Sequence, residues 1–180
     1  MMKRTLLRFQ SLHQIVGSSE MSVILLTDMD RQRALSVVCD ELMTKELLLR
    51  LNGNPVCQNM LPESLLPFLP SEYEMMVLGV YDGQYQVVLT DISSGKGVRI
   101  RMSDAVLLML IARVPLFIEE GLMQRQCVPF DAESTGVTIP INTMDMDRLQ
   151  QVLAHAVDEE NYELASQIRD EIKRRSHQEV

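Results

Sequence analysis

The sequence predicts an α+β fold: a mostly antiparallel sheet with two packed helices, followed by a C-terminal α-helical hairpin. Three observations carry this reading. Apolar runs with alternating or β-branched character are separated by short turns, two segments among them switch to helical period, and the pattern breaks after residue 126 before a second helical pattern begins. At 180 residues, 46% of them hydrophobic, the chain can build one packed domain and a small appendage.

The first strand is expected over Thr5 to Ile15, which alternates imperfectly, and the second over the apolar run Met21 to Thr27. The charged stretch Asp28 to Arg33 reads as a hairpin turn into a third strand, Ala34 to Cys39. After Asp40 the period changes. Leu42, Met43, Leu47, Leu48 and Leu51 mark one face of a helix that stops at Asn52-Gly53. Four prolines between Pro55 and Pro70 leave room only for a single helical turn, Glu63 to Leu66. Tyr73 to Tyr81 and Gln84 to Asp91 then form a hairpin about Asp82-Gly83, a pair suited to positive φ. Ser93 to Gly97 turns into a further strand, Val98 to Met102.

Ser103-Asp104 precedes Ala105 to Ala112, an apolar segment expected to be a helix buried against the sheet. Val114 to Ile118 reads as a returning strand and Glu119 to Gln126 as a short helix or turn. The resulting order, β-β-β-α then β-β-β-α-β, suggests two related halves. Pro, Gly, Ser and Thr dominate much of 127–144, which is read as a linker between a domain over 1–126 and a hairpin over 145–175. In that tail Leu149, Val152, Leu153 and Ala156 mark one helical face, and Leu164, Ala165, Ile168 and Ile172 a second. Asp158 to Asn161 is the turn, with Asn161 placed to cap the second helix.

Charge and cysteine usage narrow the function. With 17 basic and 25 acidic side chains the net charge is -8, so long-range electrostatics repel a polyanion and any DNA or RNA contact must be local. Residues 147–180 carry 5 basic and 8 acidic groups, leaving 12 and 17 in residues 1–146; neither part is a basic platform. Cys39, Cys57 and Cys127 lack metal or disulfide spacing and read as reduced thiols, which points to the cytoplasm. No apolar run reaches the length of a membrane span. His13, His155 and His177 match no metal spacing, while His155 and Glu159 sit i, i+4 on one helix face. No P-loop, dinucleotide glycine pattern or nucleophile elbow is present.

The residues with most chemical promise are Arg101, Ser103 and Asp104. A helix N-terminus offers free N–H groups, so these three either border a phosphate or metal site or simply cap the helix with an ion pair. Asp40 and Glu41 are candidates to join a carboxylate cluster or to form the solvated start of the first helix.

Two resemblances follow from quoted residues. The tail Leu149 to Arg174, with Ala156-Val157, Glu160-Asn161-Tyr162-Glu163, Ala165 and Ile168-Arg169-Asp170-Glu171-Ile172, resembles the UVR motif of bacterial excision-repair subunits and some regulators of ATP-dependent proteases. That resemblance implies a hairpin that binds another protein, often another such hairpin, with Tyr162, Ile168 and Arg169 as partner-binding residues. The preceding domain, roughly 3 to 126, is similar to the bifunctional nuclease family. Arg101-Met102-Ser103-Asp104-Ala105 stands at its R-P-S-D-A run and Val114-Pro115-Leu116-Phe117-Ile118 at its A-P-I-F-V strand. This implies a DNase and RNase with Arg101, Ser103 and Asp104 as catalytic residues and a divalent metal such as Mg²⁺ or Mn²⁺ as cofactor. Departures are concentrated at Asn54, Gln58 and Asn59, which replace Arg, His and Asp of that family's pattern, and Asn and Gln cannot take a proton at neutral pH. Two functions are therefore carried forward: a metal-dependent nuclease with a UVR hairpin, or a non-catalytic scaffold binding a partner in repair or proteolysis. Self-association is expected from the apolar hairpin face.

Overall fold

The computed structural model describes residues 3–14, 21–68, 72–132 and 141–176. Eight strands form one sheet: β1 (Arg4–Gln14), β2 (Met21–Thr27), β3 (Arg33–Asp40), β4 (Tyr73–Tyr81), β5 (Gln84–Asp91), β6 (Gly97–Ile100), β7 (Leu116–Glu119) and β8 (Val128–Pro129), in the order β6-β5-β4-β7-β1-β2-β3-β8. Every pairing is antiparallel except β4 with β7. β1 joins the two halves. Its Arg4 to Leu7 pair with β7 and, past them, Arg8 to Gln14 pair with β2 across a bulge between Phe9 and Ser11. The eighth strand comes from the Pro- and Gly-rich stretch after residue 126, where Val128 and Pro129 pair with Ala34 and Arg33. Ile15, Pro70 and 133–140 lie outside the described residues.

Helices α1 (Glu41–Leu51), α2 (Leu61–Leu65), α3 (Met102–Ala112) and α4 (Glu120–Gln126) accompany the sheet. The core gathers Leu7, Ile24, Leu26, Leu35, Met75, Leu116 and Ile118 from the strands with Met43 and Leu47 of α1, Ala105 and Val106 of α3, and Met123 of α4. Asp40 starts α1 by accepting from the Met43 N–H at 2.7 Å, and Gly53, at φ 63°, closes it by donating to the Arg50 carbonyl. The buried face is narrower than its apolar spacing suggests: Met43, Thr44 and Leu47 are covered, whereas Leu42 and Leu51 are exposed. Leu42 is offset from the Met43–Leu47 row by one residue, a rotation of about 100°. In the proline segment a 3₁₀ turn, Pro55–Asn59, capped by Asn54, leads into α2, and the buried Arg50 guanidinium ties α1 to α2 through Glu63 at 2.7 Å.

The structure departs from the sequence expectation around α3. The helix begins at Met102, with Arg101 as its N-cap and no side-chain cap, so Ser103 and Asp104 lie inside the first turn instead of before it. Met102 is buried and pulls the first turn into the core, while Asp104 is drawn to the Arg101 guanidinium and away from the backbone. Full burial on α3 is confined to Met102, Ser103, Ala105 and Val106; Leu107 to Leu110 are only partly covered. The helix ends on Arg113 in the left-handed region at φ 55°, and β7 starts at Leu116, two residues later than the apolar run suggests. A side chain there costs about 1 kcal/mol relative to glycine. Arg113→Gly is expected to raise the unfolding free energy by about 1 kcal/mol in urea denaturation.

The tail forms α5 (Met146–Asp158) and α6 (Tyr162–Ser176). Asp145 caps α5 by accepting from the Arg148 N–H, and the Asn161 side chain caps α6 by accepting from the Leu164 N–H at 3.2 Å, as its position in the turn predicts. Leu149, Ala156, Ala165 and Ile168 are fully buried, a small core separate from that of the sheet.

A candidate functional site beside the hairpin

The end of β3, the start of β5, the first turn of α3 and the approach to α5 meet around a cleft of about 310 Å³. β3 supplies Val37 to Asp40. α3 supplies Arg101 to Ser103, and the tail supplies Thr143 to Asp145 and Arg148. Two of the three sequence candidates at α3, Arg101 and Ser103, line the cleft, and Asp104 is held beside it through Arg101. Arg101 donates to both Asp104 carboxylate oxygens, at 2.8 and 3.1 Å, and reaches Asp40 at 3.5 Å. These hydrogen bonds to Asp104, with the nearby charge of Asp40, hold the Arg101 guanidinium above its usual pKa. Glu41 does not join: it pairs with Lys45 at 2.6 Å.

Tyr85 is the residue that sequence reading missed. It contributes to the cleft wall, only 6% exposed, and its hydroxyl is fully buried with no hydrogen-bond partner among the described residues. Burial pushes the Tyr85 phenol above its ordinary pKa, so it stays protonated. Its signal was the alternation of β5, where Tyr85 and Val87 point inward and are buried while Gln84 between the turn and Tyr85 is exposed. Arg148, the second missed residue, enters from α5 and has one polar side-chain partner among the described residues, Gln151 at 3.2 Å.

The donor set does not fit a divalent metal. Among the described residues no group of three His, Cys, Asp or Glu side chains could hold an ion, and Asp40 and Asp104 both face the Arg101 guanidinium. Mg²⁺ and Mn²⁺ favour oxygen ligands that are not already neutralised. Of the replaced positions, Asn54 caps the 3₁₀ turn and Gln58 and Asn59 are exposed. His13 contacts Ser11, His155 pairs with Glu159 at 3.2 Å, and His177 lies outside the described residues. The three cysteines are free, and burial pushes the Cys39 thiol up.

On the hairpin, Tyr162 is 68% exposed and Arg169 is exposed, whereas Ile168 is fully buried between the helices. Ile168 therefore packs the hairpin's interior, and Val157, 46% exposed, is the apolar residue its outer face presents instead. Arg175 ties α6 to the segment that leads into α5: its buried guanidinium donates to the Met144 carbonyl at 2.6 Å, the Asn142 carbonyl at 3.1 Å and Glu171 of its own helix at 2.8 Å. Its neighbour across the seam is the Asp82-Gly83 turn, with both residues at positive φ, 47° and 73°.

Two antiparallel helices with this register and this small core invite comparison with known helical hairpins. Residues 147–176 match the UVR family, the UvrB/uvrC motif. The match covers α5 from its second residue and all of α6, so the UVR hairpin is the part of the chain with a recognised relative. No curated protein matches the chain. Among the described residues no helix is long and apolar enough to cross a membrane.

Proposed function

We propose that this chain is an adaptor whose UVR hairpin docks onto a protein partner in DNA repair or regulated proteolysis, carried by an α+β domain that positions it. The match of residues 147–176 to the UVR motif carries the reading. The exposed Tyr162, Val157 and Arg169 supply the contact residues, with the aromatic and arginine side chains that dominate protein interfaces. The division into a domain over 1–126, a connection over 127–144 and a hairpin over 145–175 belongs to this proposal, as does self-association of hairpins. The test is binding of the full-length chain to an excision-repair subunit that bears the same motif, together with sedimentation of the chain alone. The double variant Tyr162→Ala/Arg169→Glu is expected to weaken partner binding by about tenfold or more with an unchanged unfolding midpoint. Equal affinity of variant and wild type would remove the hairpin's outer face from the mechanism.

A second reading, hydrolysis of DNA or RNA, is favoured by the uncapped N-terminus of α3 with Arg101 at its mouth, a place where a phosphate is attracted. Arg101 and Ser103 would contact the phosphate and Asp104, which accepts two N–H bonds from Arg101, would have to act as base. Turnover of single- and double-stranded DNA and RNA with Mg²⁺ or Mn²⁺ decides between the two. Cleavage that vanishes in a folded Asp104→Ala protein would establish the nuclease, and equal background in both proteins would leave the adaptor.

A further inference from the structure

We infer that the outward face of α2 and of the 3₁₀ turn that follows it, Leu66–Phe68, is where a second copy of this chain docks, the two copies meeting about a two-fold axis. Leu61, Leu65 and Phe68 recur at i, i+4 and i+7, the spacing of one helical face. In a folded monomer such a face normally turns inward. Here it turns outward: Leu61 is 71% exposed, Leu65 47% and Phe68 81%, and Val56, in the 3₁₀ turn before α2, is 63% exposed. Neither α2 nor the turn after it buries a residue. A carboxylate faces the protein instead. Glu63 stands two residues from both Leu61 and Leu65, a rotation of about 200°. The Arg50 guanidinium holds it from two nitrogens, at 2.7 and 3.0 Å. Asn54 fixes the start of the segment by accepting from the Val56 N–H at 3.0 Å. Polar contacts therefore set the shape of this segment, and its four outward apolar side chains take no part in the core of the sheet domain.

Charge selects a second copy as the occupant. The chain carries a net charge of -8, so two copies repel over most of their surfaces. Leu51 to Phe68 carries one charged side chain, Glu63, and Arg50 engages it. On this face two copies meet without setting like charges opposite one another, whereas the tail over 147–180 brings 8 acidic groups against 5 basic ones. The polar side chains between the apolar ones, Gln58, Asn59 and Ser64, are exposed and uncharged. Each carries both a donor and an acceptor, so a two-fold copy of the same rim is complementary to itself, while a charged partner finds nothing there to pair with. The four apolar side chains present on the order of 300 Å². That matches the apolar share of a small, transient interface of about 600 Å² a side. The dimer is accordingly weak, with a dissociation constant on the order of 10 µM. Docking here leaves the outer face of the hairpin free, so it is independent of the adaptor reading.

Sedimentation velocity of the full chain between about 1 and 300 µM tests this. Wild type is expected to pass from monomer to dimer and stop there, because a two-fold contact closes on itself. Leu61→Glu/Phe68→Glu sets like charges across the axis and is expected to raise the dissociation constant at least about thirtyfold. Phe68→Ser, the milder change, is expected to raise it about fivefold. Both variants should keep the wild-type unfolding midpoint at about 1 µM, where every species is monomeric. Tyr162→Ala/Arg169→Glu is expected to dimerise like wild type, which separates this contact from binding by the hairpin. A chain still monomeric at about 300 µM, a series of species beyond the dimer, a dimer unchanged in both α2 variants, or one lost only in the hairpin variant would each overturn the inference. Should the monomer instead float with phosphatidylcholine vesicles, and Phe68→Ser abolish this, the face belongs to a lipid surface and the inference falls.

Discussion

Arg33→Met is expected to lower the stability of the sheet domain by about 3 kcal/mol at neutral pH, and to do so progressively less as the pH falls below about 5. Arg33 starts β3 and holds two carboxylates that have little access to water: Asp28 at 2.9 Å, in the turn after β2, and Glu120 at 2.7 Å, at the start of α4. Asp28 also accepts from the backbone N–H groups of Gln32 and Arg33, and Glu120 from the Thr5 hydroxyl. For Asp28, burial works to raise the pKa, but the bonds from Arg33 and the two N–H groups prevail and hold it below the usual carboxylate range. The bond from Arg33, then that from Thr5, hold Glu120 down in the same way. Folded pKa values below the unfolded values of about 3.9 and 4.3 mean that this stabilisation is complete above that range and drains away as pH falls through it. Methionine fills the space of the arginine stem but leaves both carboxylates uncompensated, so the variant has no ion-pair stabilisation to lose in acid. Urea unfolding of both proteins between pH 7 and pH 3 should show the two curves converging. A constant gap would mean that Arg33 acts through packing alone.

Asp28 and Arg33 illustrate what the sequence could and could not reveal. That Asp28 to Arg33 forms a turn is legible from its charge and its place between two apolar runs; that Arg33 reaches across to Glu120, 87 residues away, is not. The strands were legible because alternation is a local signal, and the two helical faces of the tail because their spacing is. α3 was placed a turn late because Ser103 and Asp104 are good capping residues, and only tertiary burial of Met102 moves the start upstream. The cleft was legible in part. Arg101, Ser103 and Asp104 stood out by type and position, whereas Tyr85 and Arg148 join them through sheet pairing and hairpin docking, neither of which leaves a mark in a linear pattern. For the same reason Ile168 stood out as an apolar residue on a helix face without revealing that the face is turned inward.

Gly83→Ala is expected to loosen the UVR hairpin from the sheet while leaving the sheet itself folded. Two costs combine at this residue. Its φ of 73° disfavours any side chain by about 1 kcal/mol, and a Cβ there would stand 2.7 Å from the Met144 carbonyl oxygen and 3.2 Å from Arg175 Nη1. The first cost is common to Gly95, at φ 69°, where nothing lies within 4 Å of the Cβ position. Gly95→Ala is therefore the control. The second cost is a clash with backbone, worth about 2 kcal/mol more, and the chain can escape it by moving Met144 and the hairpin away from the turn. The bonds from Arg175 to the Met144 and Asn142 carbonyls lie within the tail and move with it, so Arg175→Ala should instead free the segment before α5 from α6 without any push against the turn. Hydrogen exchange of the full chain is the measurement. Amides of residues 141–149 are expected to exchange at least about tenfold faster in Gly83→Ala and Arg175→Ala than in wild type, while amides of β1, β2 and β3 slow or quicken no more than in Gly95→Ala. If Gly83→Ala and Gly95→Ala prove indistinguishable in both regions, the hairpin is not held against the Asp82-Gly83 turn. If the difference is found, the position of the UVR motif against the sheet is set by the close approach of the Met144 carbonyl to the Asp82-Gly83 turn.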